Sequence, residues 1–578
     1  MIRFISRLFF ILTASQTLLF AQAPLPHQMT QQEQTLLQGV SFHQNRVTDP
    51  PAVPVRTMAE WEEVAYLVIT WESNFSNILR QIVAAAVEEC QVIITTQNQS
   101  SVANYLTANG IDLTKVTFMN ENWDSIWIRD YAGNTVYSND VGELALTDWI
   151  YNRPRPNDDD MPSAHASLLN LPIYITDSGT NDLVNTGGNF MTDGLGNAFA
   201  SSLILDENEA GNPYGVSAKT EAQIDQIMNA YMGIDEYIKM DILPYDVIHH
   251  IDMHMKLLDE ETLLVSEYPT GVADGPQIEE NINYVLSNFQ SPFGTPYKIE
   301  RIPAPPSPSG NYPDTNGYYR TYTNAVFINK TVLVPTYRPE VDGPAIAQWE
   351  EMLPGYNIVG IDVDNSGENL IALLGAIHCI THTIGVDEPL WIVHQPVEES
   401  ATSATVSIDA TIKHISGIQG AKVYYREAGS GAFVTATMSP LGNDLWTADL
   451  VMPSVASQVE YYIESQANSG KVMSRPLVAP DGFWTIQVGA LSAPDYVQGQ
   501  ISGAVPNPTH GTVQFRLSQI HEPVSVRVSN VLGQTLYRGV IEEGHGQYTM
   551  ELSASWQGLL WVTFEGSFGQ VHRQVIKL

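Results

Sequence analysis

The chain has 578 residues, a formal net charge of −37 and only two cysteines, Cys90 and Cys379. That acidity argues against nucleic acid or an anionic membrane as a partner, and two cysteines leave no disulfide framework. The length exceeds what a single core supports, so several domains are expected.

In chain order, Arg3 and Arg7, an apolar run over 8–12 and then Ala21-Gln22-Ala23 have the layout of a signal peptide over residues 1–21. Thr13, Ser15 and Gln16 interrupt the run, which is short for a membrane span, and no later segment could span a bilayer. Residues 22–60 read as an N-terminal segment. The stretch 61–395 alternates strands and helices. Strand 66–70, helix 77–89 and strand 92–96 form one unit, and Cys90, at a helix end before an apolar strand, suits a small buried residue. Hairpin 189–201 turns at Asp193-Gly194, hairpin 254–267 at Asp259-Glu260 and hairpin 325–335 at Asn329-Lys330. Helices 219–232 and 276–288 and an amphipathic stretch at 345–353 lie between and after them. Residues 302–322 have prolines, glycines and tyrosines without periodicity, which leaves a lid and a plain connector both open. After Pro396 the helices stop, and alternating strands at 404–412, 422–426, 445–451 and 458–464 predict an immunoglobulin-like sandwich over 396–490. A turn-rich link at 490–500 leads into six more short strands within 491–578.

Superimposed on this pattern are five polar clusters: Trp127-Ile128-Arg129-Asp130, Gly187-Gly188-Asn189, His249-His250-Ile251-Asp252, Tyr322-Thr323-Asn324 and His378-Cys379. They recur about every sixty residues, each at the start of a strand-turn-strand pattern, as a repeated unit sending a side chain to a common centre would. Units of this length close more readily into a ring than into one open sheet. Together they deliver a thiol, an imidazole and two carboxylates. Hydrolysis of a guanidinium needs these groups: carboxylates to hold the planar cation, a thiolate to attack its carbon, and an imidazole to protonate departing ammonia and activate water. Singly, each has a plainer reading: Asp130 paired with Arg129, His250 or His254 as core histidines, Cys379 as an inert small hydrophobe. Their joint recurrence is what points to a site.

These motifs resemble the agmatine deiminase and Porphyromonas-type peptidylarginine deiminase superfamily. The resemblance implies an α/β fold, a five-bladed α/β propeller (pentein), followed here by the immunoglobulin-like sandwich and a C-terminal β-sandwich. It also implies roles: Asp130 and Asp252 grip the guanidinium, His250 is the general acid/base, Cys379 the nucleophile, and Asn324 supports the site. Trp127 and Asn189 are expected to contact substrate. The sequence departs from the agmatine-type pattern at Tyr131-Ala132-Gly133, Gly375-Ala376 and His382-Thr383, which puts substrate choice in doubt and leaves the reaction type alone. In the Porphyromonas-type enzymes two arginines bind the carboxylate of a C-terminal arginine, and Arg153 and Arg155 match them; pairing with Asp158, Asp159 and Asp160 is the other reading. The expected reaction is therefore conversion of C-terminal peptidyl arginine to citrulline and ammonia through a Cys379 thiouronium, with agmatine or another small guanidino compound as the alternative substrate. The tail over 491–578, with Pro506-Asn507-Pro508, Asn530-Val531-Leu532-Gly533-Gln534 and Gly546-Gln547-Tyr548, resembles a type IX secretion sorting domain. That implies the type IX machinery as a partner and a secreted or surface-attached product.

Two other readings compete. A papain-like protease would place its cysteine before the histidine and asparagine, whereas Cys379 comes last. A non-catalytic surface protein would tolerate loss of one of the four reactive groups, and none is lost. No zinc spacing is present, since His250 and His254 lie in strand-like sequence. No cofactor is required, although the acidic turn Asn157-Asp158-Asp159-Asp160 could hold structural calcium.

Overall fold

The computed structural model describes residues 23–37, 48–177, 179–489, 509–517, 523–530, 534–541, 547–566 and 569–577. The expected signal peptide, the link at 490–500, and Pro506-Asn507-Pro508, Val531-Leu532-Gly533 and Gly546 of the tail motifs lie outside the described residues.

Between Val55 and Gly385 the chain builds five small sheets on one plan. Two antiparallel strands are followed by a helix, and a third strand returns parallel to the second. In one of them Met255–Leu257 pairs with Thr262–Glu267, helix Gly275–Asn288 crosses over, and Lys298–Pro303 lies parallel to Thr262–Glu267. Local sequence accounts for the pieces. Helix Glu221–Met232 begins with a capping box between Thr220 and Gln223 and stops at Gly233, whose φ of 67° suits glycine. Helix Ser76–Glu89 buries Ile78, Leu79, Ile82, Val83 and Ala86, a stripe at helical spacing laid on the neighbouring strands. The last strand of the region, His382–Gly385, pairs antiparallel with its first long strand, Val64–Thr70. The end of the region is thereby stitched to its beginning.

Two expectations shift. The amphipathic stretch at 345–353 is the end of a longer helix, Pro339–Met352. Its first turns face solvent and carry no apolar periodicity, so the sequence pattern starts late. Of residues 302–322, the start completes strand Lys298–Pro303. The far end is tied down by the Arg320–Asp364 ion pair at 2.7 Å and by the Tyr337 hydroxyl, which accepts from the Thr321 amide. That anchoring fits a connector.

Residues 390–488 form two mainly antiparallel sheets over a shared core that includes Ile408, Ile412, Val423, Leu450, Tyr461 and Ile486. They are fastened to the preceding region by Arg475, which reaches both oxygens of Glu260 at 2.9 Å, and by Lys413 to Asp140 at 2.8 Å. The C-terminal strands, among them Val524–Asn530, Gly558–Gly566 and Gly569–Lys577, cover a separate core built on Val513, Phe515, Val526, Val562 and Phe564. No helix among the described residues is long and apolar enough to cross a membrane.

Candidate active site

The polar clusters occupy the same place in each unit. Ile128–Tyr131, Gly187–Asn189, Ile251–Met253 and His378–Ile380 are each a single helical turn just before a strand, and Asn324 directly precedes strand Val326–Ile328. These turns pack together at one centre. Glycine is required for that: a Cβ on Gly187 would overlap the Arg129 carbonyl, and one on Gly188 would overlap the His250 ring. His249 is held at φ 59° beside His250, a conformation uncommon outside glycine.

On one side of the centre lies the thiol. Asn324 Oδ1 accepts from the amides of His378 (3.0 Å) and Cys379 (3.4 Å), while its Nδ2 donates to Cys379 Sγ at 3.2 Å. Asp252 Oδ2 lies 3.7 Å from the sulfur. His378 spans two carboxylates, with Nδ1 2.7 Å from Asp252 and Nε2 2.7 Å from Glu60. Glu60 also binds Lys256 at 2.6 Å and lies 3.7 Å from Arg129, which itself donates to the His378 carbonyl. Arg129 thus supports the thiol loop and is not simply the partner of its neighbour Asp130.

Burial pushes the Asp252 carboxyl upward, but the His378 hydrogen bond and charge and the nearby His250 outweigh it, so the group sits below its ordinary range. Glu60 is held well below its own range because His378, Lys256 and Arg129 together overcome burial. Cys379 goes the other way. Burial first, then the negative charges of Asp252 and Asp130, raise the thiol well above its ordinary value. Cys90, in apolar surroundings, is pushed up to about 12 by burial. Both thiols are raised, but Cys379 has the Asp252 carboxylate 3.7 Å away and the Asn324 amide donating to it at 3.2 Å.

Across from the thiol, Asp130 Oδ1 accepts from the Gly188 amide at 3.3 Å and lies 3.5 Å from His250 Nδ1. Its Oδ2 is 2.6 Å from Nε2 of His27. The facing imidazoles of His27 and His250 outweigh burial and lower this carboxyl. Burial takes His250 down to about 3, so it is neutral near neutral pH. Neither ring nitrogen of His250, nor Asp252 Oδ1, has a hydrogen-bond partner among the described residues, although all are buried. A buried polar atom without a protein partner calls for one, and a water, an ion or a substrate would each supply it.

Arg153 and Arg155 flank this side, 5% and 1% exposed. Arg153 donates to the carbonyls of His27 (3.2 Å) and Asn152 (3.0 Å). Arg155 binds Glu33 at 2.7 Å and the Pro26 carbonyl at 2.8 Å. Trp127 stacks on His27 and donates to the Leu25 carbonyl. Asn189 is buried, but its amide is bonded to the backbone of Ser201 at both ends, so its polar atoms serve its own hairpin. In the acidic turn, Asp158 accepts from Asp124 and Ser125, and Asp159 from the Tyr151 amide.

Asp130, His250, Asp252, Asn324 and Cys379 are therefore brought to one place, with Trp127, Arg153 and Arg155 beside it. Sequence reasoning left out His27 and Glu60, which come from the segment before the first long strand, and gave His378 no role. Only adjacency to Cys379 could have flagged His378; nothing in the linear pattern flags the other two. His27, Asp130 and His250 also form the one group among the described residues whose donor atoms, all within 4.8 Å of one another, could hold a metal ion.

Residues 56–384 match the family model of Porphyromonas-type peptidyl-arginine deiminase. Residues 504–577 match that of the secretion system C-terminal sorting domain, which marks the chain for export to the cell surface or beyond through type IX secretion. A "Putative agmatine deiminase" of Lactococcus lactis is 25% identical over 313 residues, 50% of this chain and 81% of that protein. A protein of the same description in Yersinia pseudotuberculosis is 26% identical over 294 residues, 46% of this chain and 77% of the relative. An X-ray structure, again of that description, covers 58% of this chain and 96% of its own at 18% identity and a TM-score of 0.50, a likeness of fold.

Proposed function

From the premise that the chain belongs to the Porphyromonas-type peptidyl-arginine deiminase family, whose homologues are hydrolases acting on guanidino C–N bonds, we propose that it converts peptidyl arginine, preferentially at a C-terminus, to citrulline and ammonia. In this reading the five sheets are the blades of a pentein propeller, and residues 390–488 are an immunoglobulin-like domain. The observation that carries the chemistry is the convergence of Cys379, His250, Asp130 and Asp252 in one buried cluster drawn from three separate turns.

Asp130 and Asp252 hold the guanidinium by charged hydrogen bonds. Arrival of that cation offsets the two negative charges that keep the Cys379 thiol protonated, so the thiolate forms when substrate is present. The sulfur bonds to the central carbon and the C–N bond to one terminal nitrogen breaks. His250 takes the proton that the Cys379 thiol gives up and passes it to that nitrogen, which leaves as ammonia. Water, deprotonated by His250, then adds to the thiouronium carbon; the C–S bond breaks, the thiol returns and the ureido product remains. Glu60 and His378 are positioning residues: they touch no reacting atom and hold Asp252 ionised and aimed. Asn324 fixes the thiol loop.

The preference for a C-terminal arginine rests on Arg153 and Arg155, two buried cations that already hold peptide oxygens next to Asp130. A substrate carboxylate would suit them, and agmatine has none. To test both levels, the protein is incubated with agmatine, free arginine and peptides carrying internal or C-terminal arginine, and ureido product is measured. The expected order places C-terminal arginine first. Product from none of the four, with enzyme near stoichiometric and hours of incubation, would remove the deiminase reading; equal rates on free-acid and amidated peptides would remove the C-terminal preference alone.

A further inference from the structure

The active-site cluster is not empty of protein. Residues 23–37 run through it, and their contacts are those a bound peptide would make. The His27 amide donates to the Leu373 carbonyl at 3.0 Å. The carbonyls of Leu25, Pro26 and His27 accept in turn from Trp127, Arg155 and Arg153. The His27 ring stacks on Trp127 with centroids 4.4 Å apart and planes 10° from parallel. Its Nδ1 faces the Leu374 carbonyl at 2.8 Å and its Nε2 the Asp130 carboxylate at 2.6 Å. A carbonyl can only accept, and so can an ionised carboxylate. Both ring nitrogens therefore face acceptors, as the edge of a guanidinium would, and one of those acceptors is the Asp130 carboxylate that would hold it.

The rest of the segment is built to stay. Helix Gln31–Leu36 opens on a capping box in which Glu33 closes on the Thr30 amide, and the same carboxylate binds Arg155. Arg155 outweighs burial and lowers the Glu33 carboxyl. Leu37 is buried in a small apolar cluster with Ile150, Val184, Tyr214 and Val216. His27 is wholly buried, so no substrate can reach Asp130 while it is in place.

We propose that residues 23–37 are an intramolecular pseudosubstrate. His27 takes the guanidinium position, Glu33 takes the carboxylate position at Arg155, and the chain stays latent until the segment is displaced or removed. The groove it fills is accordingly a peptide-binding surface, read along the main chain by Trp127, Arg153 and Arg155. The word pseudosubstrate rests on the deiminase reading; the covering of Asp130 by His27, and with it of the way into the cluster, does not.

The test uses the full-length chain with two readouts. One is the rate at which iodoacetamide alkylates Cys379, followed by mass spectrometry with buried Cys90 as the internal reference. The other is ureido product. The double variant His27→Ala/Glu33→Ala is expected to raise both by about tenfold or more, the loss of more than one charged hydrogen bond. A synthetic peptide of residues 23–37 added to that variant should slow alkylation again and raise KM with kcat unchanged. Should the double variant fail to fold, Glu33→Gln, which keeps the side-chain size and removes the charge opposite Arg155, is expected to move both readouts in the same direction. Parental rates of alkylation and turnover in every folded variant, with no competition by the peptide, would overturn the proposal while leaving the deiminase reading intact. Faster alkylation without product from any guanidino substrate would uphold the blockade and remove the deiminase reading.

Discussion

The two sides of the active-site cluster are equally buried and differently held. Around Cys379, every contact comes from the body of the fold: Asn324 to the thiol loop, Asp252 to His378, His378 to Glu60, and Glu60 to Lys256. Around Asp130, the closest contacts come from residues 25–33, a short piece of chain with little core of its own. Burial alone therefore does not say whether a group is fixed. The thiol side is preorganised, since Asp252, Asn324 and His378 sit in short turns that each lead into a sheet strand. The clamp side is exchangeable, since its partners can be replaced by any ligand that offers a cation to Asp130 and oxygens to the two arginines. That division suits a reaction in which geometry at sulfur must be constant while substrates come and go.

The most severe way to break the comparison is at sulfur. Cys379→Ala should lower turnover by at least about ten-thousandfold, because a lost nucleophile is not replaced by its neighbours, with circular dichroism unchanged. Normal ureido production by that variant would end the thiol mechanism. Next comes His250→Gln, expected to cost about 10²–10⁴ in kcat, the ordinary worth of a positioned acid/base; a loss below tenfold in initial-rate assays would move that role elsewhere.

On the exchangeable side, Arg153→Ala/Arg155→Ala should raise KM for free-acid C-terminal arginine peptides about tenfold to a hundredfold relative to amidated ones. The ratio is the measurement to take, because release of Glu33 from Arg155 would affect both peptides alike. An unchanged ratio makes the pair purely a holder of the N-terminal segment.

A smaller effect probes the fixed side from a distance. Glu60→Gln should reduce kcat about tenfold, as loss of an outer partner commonly does, with little change in KM. The pH profile gives the sign. The Asp252 carboxyl is held low in part by His378, and weakening His378 lets it rise, so the acid limb of kcat/KM should move to higher pH. A pure fall in stability would leave that limb in place. Smallest of all, Cys90→Ala should cost about 1 kcal/mol in denaturant unfolding, the typical worth of a small buried group, and nothing in turnover.

Much of this was legible in the residues. The spaced turns at Asp130, His250-Asp252, Asn324 and His378-Cys379 reach the centre because each repeated unit starts with the same local signal, and local signals survive in sequence. The hairpins at Asp193-Gly194 and Asn329-Lys330 follow from turn chemistry, and the alternation after Pro396 from burial of one face. Asn189 shows the limit: the right place in the repeat, but an amide spent on Ser201.

What the sequence determined by itself is therefore the set of groups, their order and the reaction they can carry, since motif, spacing and strand period are properties of neighbours along the chain. What only the tertiary structure decided is how those groups are charged and what stands against them. The Cys379 thiol is raised by burial and by the distant Asp252 and Asp130. The Asp130 and Asp252 carboxyls are lowered, against burial, by histidines of which His27 and His378 lie a hundred or more positions from the carboxyl they face. The carboxylate–histidine–carboxylate line from Glu60 to Asp252 spans most of the catalytic region. And His27, an unremarked residue before the first strand, lies on Asp130 across 103 positions. Electrostatics acts through space, and no periodicity along a chain records it.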